Sequence, residues 1–269
     1  AKDRLISLFF TDDENLNRSF TDINDKHSVD SLSVSLDSNR VREKYDRIKK
    51  EWLNDKPEDE VFFDELKNKI IELWRRIYKF KPESANDQEF SIATLYLAYK
   101  TISIAQRYDA YDNFDCLQSS YSNPWDQNRY DALEKLIHEI DKDSSHITFK
   151  LRQTLAFLKF RHIKTNNRDL HITISDFSKI TKGKSSNKWK HIDFVPAPCF
   201  KTEIILKEKN SQDRYPFSML SSGEKQFVYT ASTILYHLRN LNSVRGNQRR
   251  VKYRHFNIIM DEIELYFHP

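Results

Sequence analysis

"FSMLSSGEKQFVYT", residues 217–230, holds one of only three glycines in a chain of 269 residues. Gly223 follows two serines and precedes Glu-Lys-Gln. An apolar stripe at helical spacing comes next: Phe227, Ala231, Ile234, Leu235 and Leu238. A glycine here removes a Cβ where backbone must come close to something. Ser221 and Ser222 offer hydroxyls at the start of the helix, where the first N–H groups have no intrahelical partner. Small residues at such an end make an anion site, with phosphate the usual occupant. An ordinary Ser N-cap with Glu224 in the first turn explains the serine and the glutamate equally well. Taken alone, the heptapeptide leaves both readings open.

The downstream sequence adds a second feature. Residues 256–260, "FNIIM", are short, apolar and β-prone, as expected of a buried parallel strand. The run ends in Asp261 and Glu262, and carboxylates at the C-terminal end of such a strand sit where α/β sheets place ligands. Asp261 suits Mg²⁺, held through water, and Glu262 could take a proton from an attacking water. Upstream, "LHITISDF" (170–177) alternates as a strand does. "FKTEIILKEKN" (200–210) alternates too, with Phe200, Thr202, Ile204 and Leu206 on one face. The order strand, loop, helix, strand predicts an α/β lobe.

The chain before this lobe reads differently. "RLISLFF" (4–10) predicts a buried strand, and the polar residues 11–37 a loop. Helical spacing then appears at Val41, Tyr45, Ile48 and Trp52, and again at Phe62, Leu66, Ile70, Leu73 and Ile77. Further helices are expected over about 88–108, 127–141 and 147–162, with prolines at 57, 82 and 124 between them. No heptad stays regular long enough for a long coiled coil. The expected domains are 1–37, the remnant of an N-terminal lobe; 38–165, a helical bundle or arm; and 166–269, the lobe of the opening stretch. Charged residues at 31% against 38% hydrophobic favour elongated helices with wide solvated faces over one compact core. Cys116 and Cys199 lack CxxC spacing, which argues against a zinc site or a disulfide framework and fits a reducing cytoplasm. No run approaches the ~20 apolar residues of a membrane span.

"LSSGEKQ" (220–226) resembles the signature motif of ABC-type ATPases, usually LSGGQ or LSGGE. "NIIMDE" (257–262) resembles their Walker B strand with its catalytic glutamate. The two stand in the family's order, with a helix between, and the resemblance covers about residues 195–269. It implies an α/β, ABC-type ATPase head, partial here, with a large helical insertion. It also implies roles: Ser221, Ser222, Gly223, Glu224 and Lys225 meet ATP held by an opposing protomer, Asp261 serves Mg²⁺, and Glu262 polarises the attacking water. Glu224 at the fifth position and the long helical region before it resemble the SMC, RecF and RecN branch more than transporter ATPases. "DEIELYFHP", with His268-Pro269, is similar to the OLD-family ATPases and to the ATPase subunit of Septu-type and retron-linked anti-phage defence systems. That likeness implies a homodimer closed by an ATP sandwich, controlling a nuclease or effector partner. A DNA-repair or chromosome-organising ATPase, or a non-hydrolysing scaffold, could be built on the same head.

The chain also departs from the family. The Walker A loop, GxxxxGK[ST], is missing. "SKITKGKSS" (178–186) offers Gly183-Lys184-Ser185, but Ser178 stands where the first glycine belongs, and in ABC heads this loop comes first. We read it as a basic loop, read both chain ends as truncations, and expect Walker A before Ala1. On that reading the chain alone is an inactive ATPase. Ser222 replaces the signature's usual glycine. Residues 161–190 carry eight basic side chains against two acidic, and residues 239–254 carry six against none. Lys182, Lys184, Lys188, Lys190, Arg249, Arg250 and Lys252 are therefore candidates for DNA or RNA phosphates, with Trp189 and Tyr253 offered for base stacking. A solvated loop, or a surface for an acidic protein, explains the same charge.

Overall fold

The computed structural model describes residues 27–53, 60–108, 111, 125–165, 168–184, 186, 188–211, 213–226, 229–230 and 233–234. They divide into two compact units. One comprises residues 1–35, 165–195 and 201–269, and the other 36–164 and 196–200. Both helices and strands are present, so the chain is mixed α/β. The strands "RLISLFF" and "FNIIM" lie outside the described residues.

The first unit is built on a four-stranded sheet: β1 (His27–Leu36), β2 (Leu170–Thr173), β3 (Phe200–Glu208) and β4 (Arg214–Pro216), in the order β2-β1-β3-β4. β1 pairs antiparallel with β2, Leu32 opposite Ile172, and β3 pairs antiparallel with β4, Leu206 opposite Tyr215. β1 and β3 also run in opposite directions. The Ser28 hydroxyl donates to the Lys207 carbonyl at one end, and the Asp37 N–H donates to the Cys199 carbonyl at the other. The described sheet is thus antiparallel. The strand that suggested a parallel one, residues 256–260, is not among the described residues.

β1 corrects the expected loop over 11–37. Its sequence, HSVDSLSVSL, hides period-2 alternation among serines, and Leu32 and Val34 are buried. As an interior strand it has neighbours on both sides for its backbone groups, so serine between the apolar positions is no obstacle. β2 corrects a second expectation. The alternation of "LHITISDF" stops at Thr173, because Thr173 caps a helix, Ile174–Thr181. Its hydroxyl oxygen accepts the Asp176 N–H at 3.1 Å.

The second unit is helical: α1 (Ser38–Leu53), α2 (Glu60–Tyr78), α3 (Gln88–Arg107), α4 (Gln127–Lys142) and α5 (Phe149–Phe160). α3 is the central element, with α1, α2 and α5 packed on it, and α4 lies on α2. Tyr96, Leu97, Ala98, Tyr99, Thr101, Ile102 and Ile104 are all buried, so α3 is enclosed nearly all round. Such a helix is the centre of a compact core rather than one with a wide solvated face. Trp74 of α2 is fully buried against it, and its Nε1–H donates to Thr101 Oγ1 at 3.0 Å.

α1 buries Val41, Tyr45 and Ile48 as their spacing predicts, while Trp52, the fourth residue of that face, is only half-buried. On α2 the predicted face is corrected at both ends. Phe63, Trp74 and Tyr78 are buried with Leu66, Ile70 and Leu73, while Phe62 and Ile77 are only half-buried. Phe62 turns aside to stack flat on Trp125, ring centroids 5.2 Å apart.

A glycine-poor chain must end some of its helices without glycine. Lys79 and Arg161, just past α2 and α5, adopt the left-handed conformation at φ 55° and 47°. Lys79 is exposed, and its N–H still closes onto the Arg75 carbonyl. Lys79→Gly should therefore raise stability by about 0.5–1 kcal/mol, the relief of Cβ strain net of the added unfolded-state entropy. A thermal unfolding series would register this as a few degrees in Tm.

Candidate functional site

The opening stretch is built from its anchors outward. β4 ends at Pro216, and a 3₁₀ turn, Phe217–Met219, follows. Phe217 and Leu220 are buried, the first edge-on to Tyr229 at 5.5 Å. These two pegs present the next residues outward, so that Ser221 and Ser222 are exposed. Residues 222–226 are helical.

Ser221 and Glu224 form a reciprocal capping box. Ser221 Oγ accepts the Glu224 N–H at 3.3 Å, and Glu224 Oε2 accepts the Ser221 N–H at 3.1 Å and the Ser221 hydroxyl at 2.8 Å. The Ser cap with an acid in the first turn is thus present. It commits the Ser221 hydroxyl in both directions, and it does not engage the N–H groups of Ser222 and Gly223. Lys225 folds back, its Nζ donating to the Ser218 carbonyl at 3.2 Å.

Two residues that sequence reasoning missed support the cap. His27, at the start of β1, holds its Nε2 3.4 Å from Glu224 Oε1, and its Nδ1 is hydrogen-bonded to the Tyr215 hydroxyl of β4. The rings of His27 and Tyr215 meet edge to face. The Ser221 hydroxyl, the Ser221 N–H and nearby His27 hold the Glu224 carboxyl below its ordinary range against partial burial. Burial and the carboxylates of Glu208 and Glu224 push the Tyr215 hydroxyl up, so it remains a donor at neutral pH. No sequence signal joins His27 to residue 224; only the strand order brings them together.

The other candidates fall in separate places. Asp261, Glu262, Arg249, Arg250, Lys252 and Tyr253 lie outside the described residues. Lys182 follows the helix Ile174–Thr181, whose turn is closed by the Lys182 N–H on the Ser178 carbonyl and the Lys184 N–H on the Thr181 carbonyl. Gly183 sits in that turn at φ 77°, with open space where a Cβ would be. The glycine of "KGKSS" thus serves a left-handed turn after a helix. Lys182, Lys188 and Lys190 are exposed and Lys184 half-buried. Trp189 between them is a correction: it is only 5% exposed and packs at a tilt against Phe194, so it has no free face for a base.

Cys199 is buried and its thiol is pushed up by that burial, which leaves it a small apolar core residue. Among the described residues no cluster of His, Cys, Asp or Glu is arranged to hold a metal ion. No helix among them is long and apolar enough to cross a membrane. No family model, curated protein or solved structure matches the chain.

Proposed function

We propose that this chain is the signature-bearing part of an ABC-type ATPase head of the SMC/RecF-like class. Two protomers would sandwich ATP and Mg²⁺, and closing and opening of the pair would control a nuclease or effector, in the manner of anti-phage defence ATPases. The reading rests on one observation: "LSSGEKQ" and "NIIMDE" follow one another in the family's order, and the first lies at an exposed, capped helix start. The N–H groups of Ser222 and Gly223, the Ser222 hydroxyl and the positive end of the helix could all face a phosphate. Ser221 would keep its capping role and could share its hydroxyl with the phosphate by releasing Glu224. Asp261 would hold Mg²⁺, and Glu262 would orient the attacking water.

Ser222→Asp tests this. An acid in the first turn of a helix is favourable, so the fold should hold or gain slightly. The same carboxylate would stand against the phosphate of the opposing protomer. ATP-dependent dimerisation of the intact protein, measured by sedimentation, should be lost while Tm is unchanged. A variant that dimerises on ATP as the parent does would overturn the assignment.

A further inference from the structure

The exposed helix start has a titratable neighbour. Glu224 is the only acid between Phe217 and Gln226, and its carboxylate works on two sides. Oε2 accepts the Ser221 N–H at 3.1 Å and the Ser221 hydroxyl at 2.8 Å, while Oε1 lies 3.4 Å from His27 Nε2. The His27 side chain is only 12% exposed, so a charge on its ring is weakly screened by water and is felt by its neighbours. Tyr215 orients that ring. It stands on β4, two strands from β1 in the sheet, and its hydroxyl reaches across β3 to His27 Nδ1.

The charges on the surrounding elements have other engagements. Asp30 of β1 and Arg214 of β4 meet each other at 3.2 Å. Glu208 of β3, which acts on Tyr215 through its charge, accepts the Ser211 hydroxyl. Lys225 turns its Nζ to the Ser218 carbonyl. Glu224 is the acid that faces His27 directly.

His27 and Glu224 form an ion pair only while the imidazole is protonated. A charged ring donates from both nitrogens, to the Tyr215 oxygen and to Glu224; a neutral ring has one N–H and no charge. The difference reaches Ser221, whose hydroxyl is committed to Glu224. Giving that hydroxyl to a phosphate takes a donor from the carboxylate and sets a second negative charge beside it. A charged His27 offsets both effects, by donating to Oε1 and by neutralising the carboxylate.

We infer that His27, oriented by Tyr215, is a positioning residue whose proton-dependent hold on Glu224 regulates when the Ser221 hydroxyl is free for a phosphate. On the signature reading of residues 220–226, on which this assignment rests, phosphate at the helix start and a proton on His27 favour each other. ATP-dependent dimerisation then takes up a proton.

The test uses the full chain and two variants. His27→Gln keeps a polar side chain that cannot charge, and Glu224→Gln removes the charge that His27 answers. One arm needs no nucleotide. A double-mutant cycle of the two substitutions, read from thermal unfolding, should show coupling at about pH 6 that is lost at about pH 8. The other arm is sedimentation with ATP and Mg²⁺. Between the same two conditions the parent should gain about threefold more dimer affinity in acid than His27→Gln does. ATP and the other histidines titrate alike in both proteins, so this excess belongs to His27. Glu224→Gln should lose the same excess. Coupling that is unchanged between the two conditions overturns the inference and leaves the signature reading standing. So does a pH dependence of dimerisation that the parent and His27→Gln share. A parent that fails to dimerise on ATP under either condition overturns the signature reading, and the regulatory role of His27 with it.

Discussion

If the proposed ATPase reading is right, Glu262→Gln is expected to lower ATP turnover by about 10²-fold or more and to accumulate the ATP-bound dimer. The expectation follows from what the substitution spares. Glutamine matches glutamate in volume, and on the proposed reading Asp261 would still serve Mg²⁺, so nucleotide affinity should change little. On that reading only the group proposed to orient the attacking water is removed. A group needed in the transition state and idle in the ground state lowers kcat without raising KM. Asp261→Asn should behave differently. Weakened Mg²⁺ binding removes the charge that neutralises the phosphates, so dimerisation and turnover should fall together. The contrast between the two variants is the informative readout. Equal turnover in Glu262→Gln and the parent would remove Glu262 from the chemistry. Equal defects in both variants would mean that residue 262 serves metal or fold instead.

How much of this could be read in the sequence depended on where each signal is encoded. Val41, Tyr45 and Ile48 lie on one face because a 3.6-residue period is local, and α1 could be read directly. The Ser cap with an acid in the first turn was one of the two readings the heptapeptide left open, and Ser-x-x-Glu is a four-residue device. β1 was not, because its alternation is carried by only a few apolar residues among serines, and its status as an interior strand is set by β2 and β3 from far along the chain. Trp189 read as a free aromatic in a basic stretch, but Phe194, five residues on, folds back to cover it. The His27–Tyr215–Glu224 contact joins residues nearly two hundred positions apart, and no pattern in a single sequence marks such a meeting. Local periods and caps are written residue by residue; partners across a sheet are written only in the topology.

The second large effect lies in the helical unit, at Asp87. Its carboxylate caps α3 by accepting the Phe90 N–H at 2.9 Å and also accepts the Glu83 N–H at 3.0 Å. Both of its oxygens accept from Arg161 Nη2, at 2.8 and 2.9 Å. The side chain is 7% exposed, and the Arg161 guanidinium stands 4.7 Å over the Phe157 ring. Together these partners hold Arg161 through Nη2 and its ring contact, beside its left-handed backbone. Asp87→Ala removes the cap and strands a buried guanidinium, with Glu83 and Glu89, 3.7 and 3.8 Å away, as its remaining acids. The cost should be about 3–4 kcal/mol in denaturant unfolding of the full chain. Asp87→Asn keeps a good N-cap and removes only the charge, so it should cost less, and the difference separates cap from ion pair.

Acid should erase the charge component alone. Burial pushes the Asp87 carboxyl up, but the Glu83 and Phe90 N–H groups and Arg161 outweigh it and hold the folded-state pKa below the ordinary value. A depressed pKa means that the stabilisation is complete above the unfolded-state value, near 3.9, and is lost as pH falls through the folded-state value. The gap between the parent and Asp87→Asn should therefore stay constant from neutral pH down to about 5 and close below about 4. A gap that persists unchanged at pH 3 would mean that the asparagine acts through packing. Two variants indistinguishable from the parent at pH 7 would show that Arg161 is satisfied by Glu83 and Glu89 without Asp87.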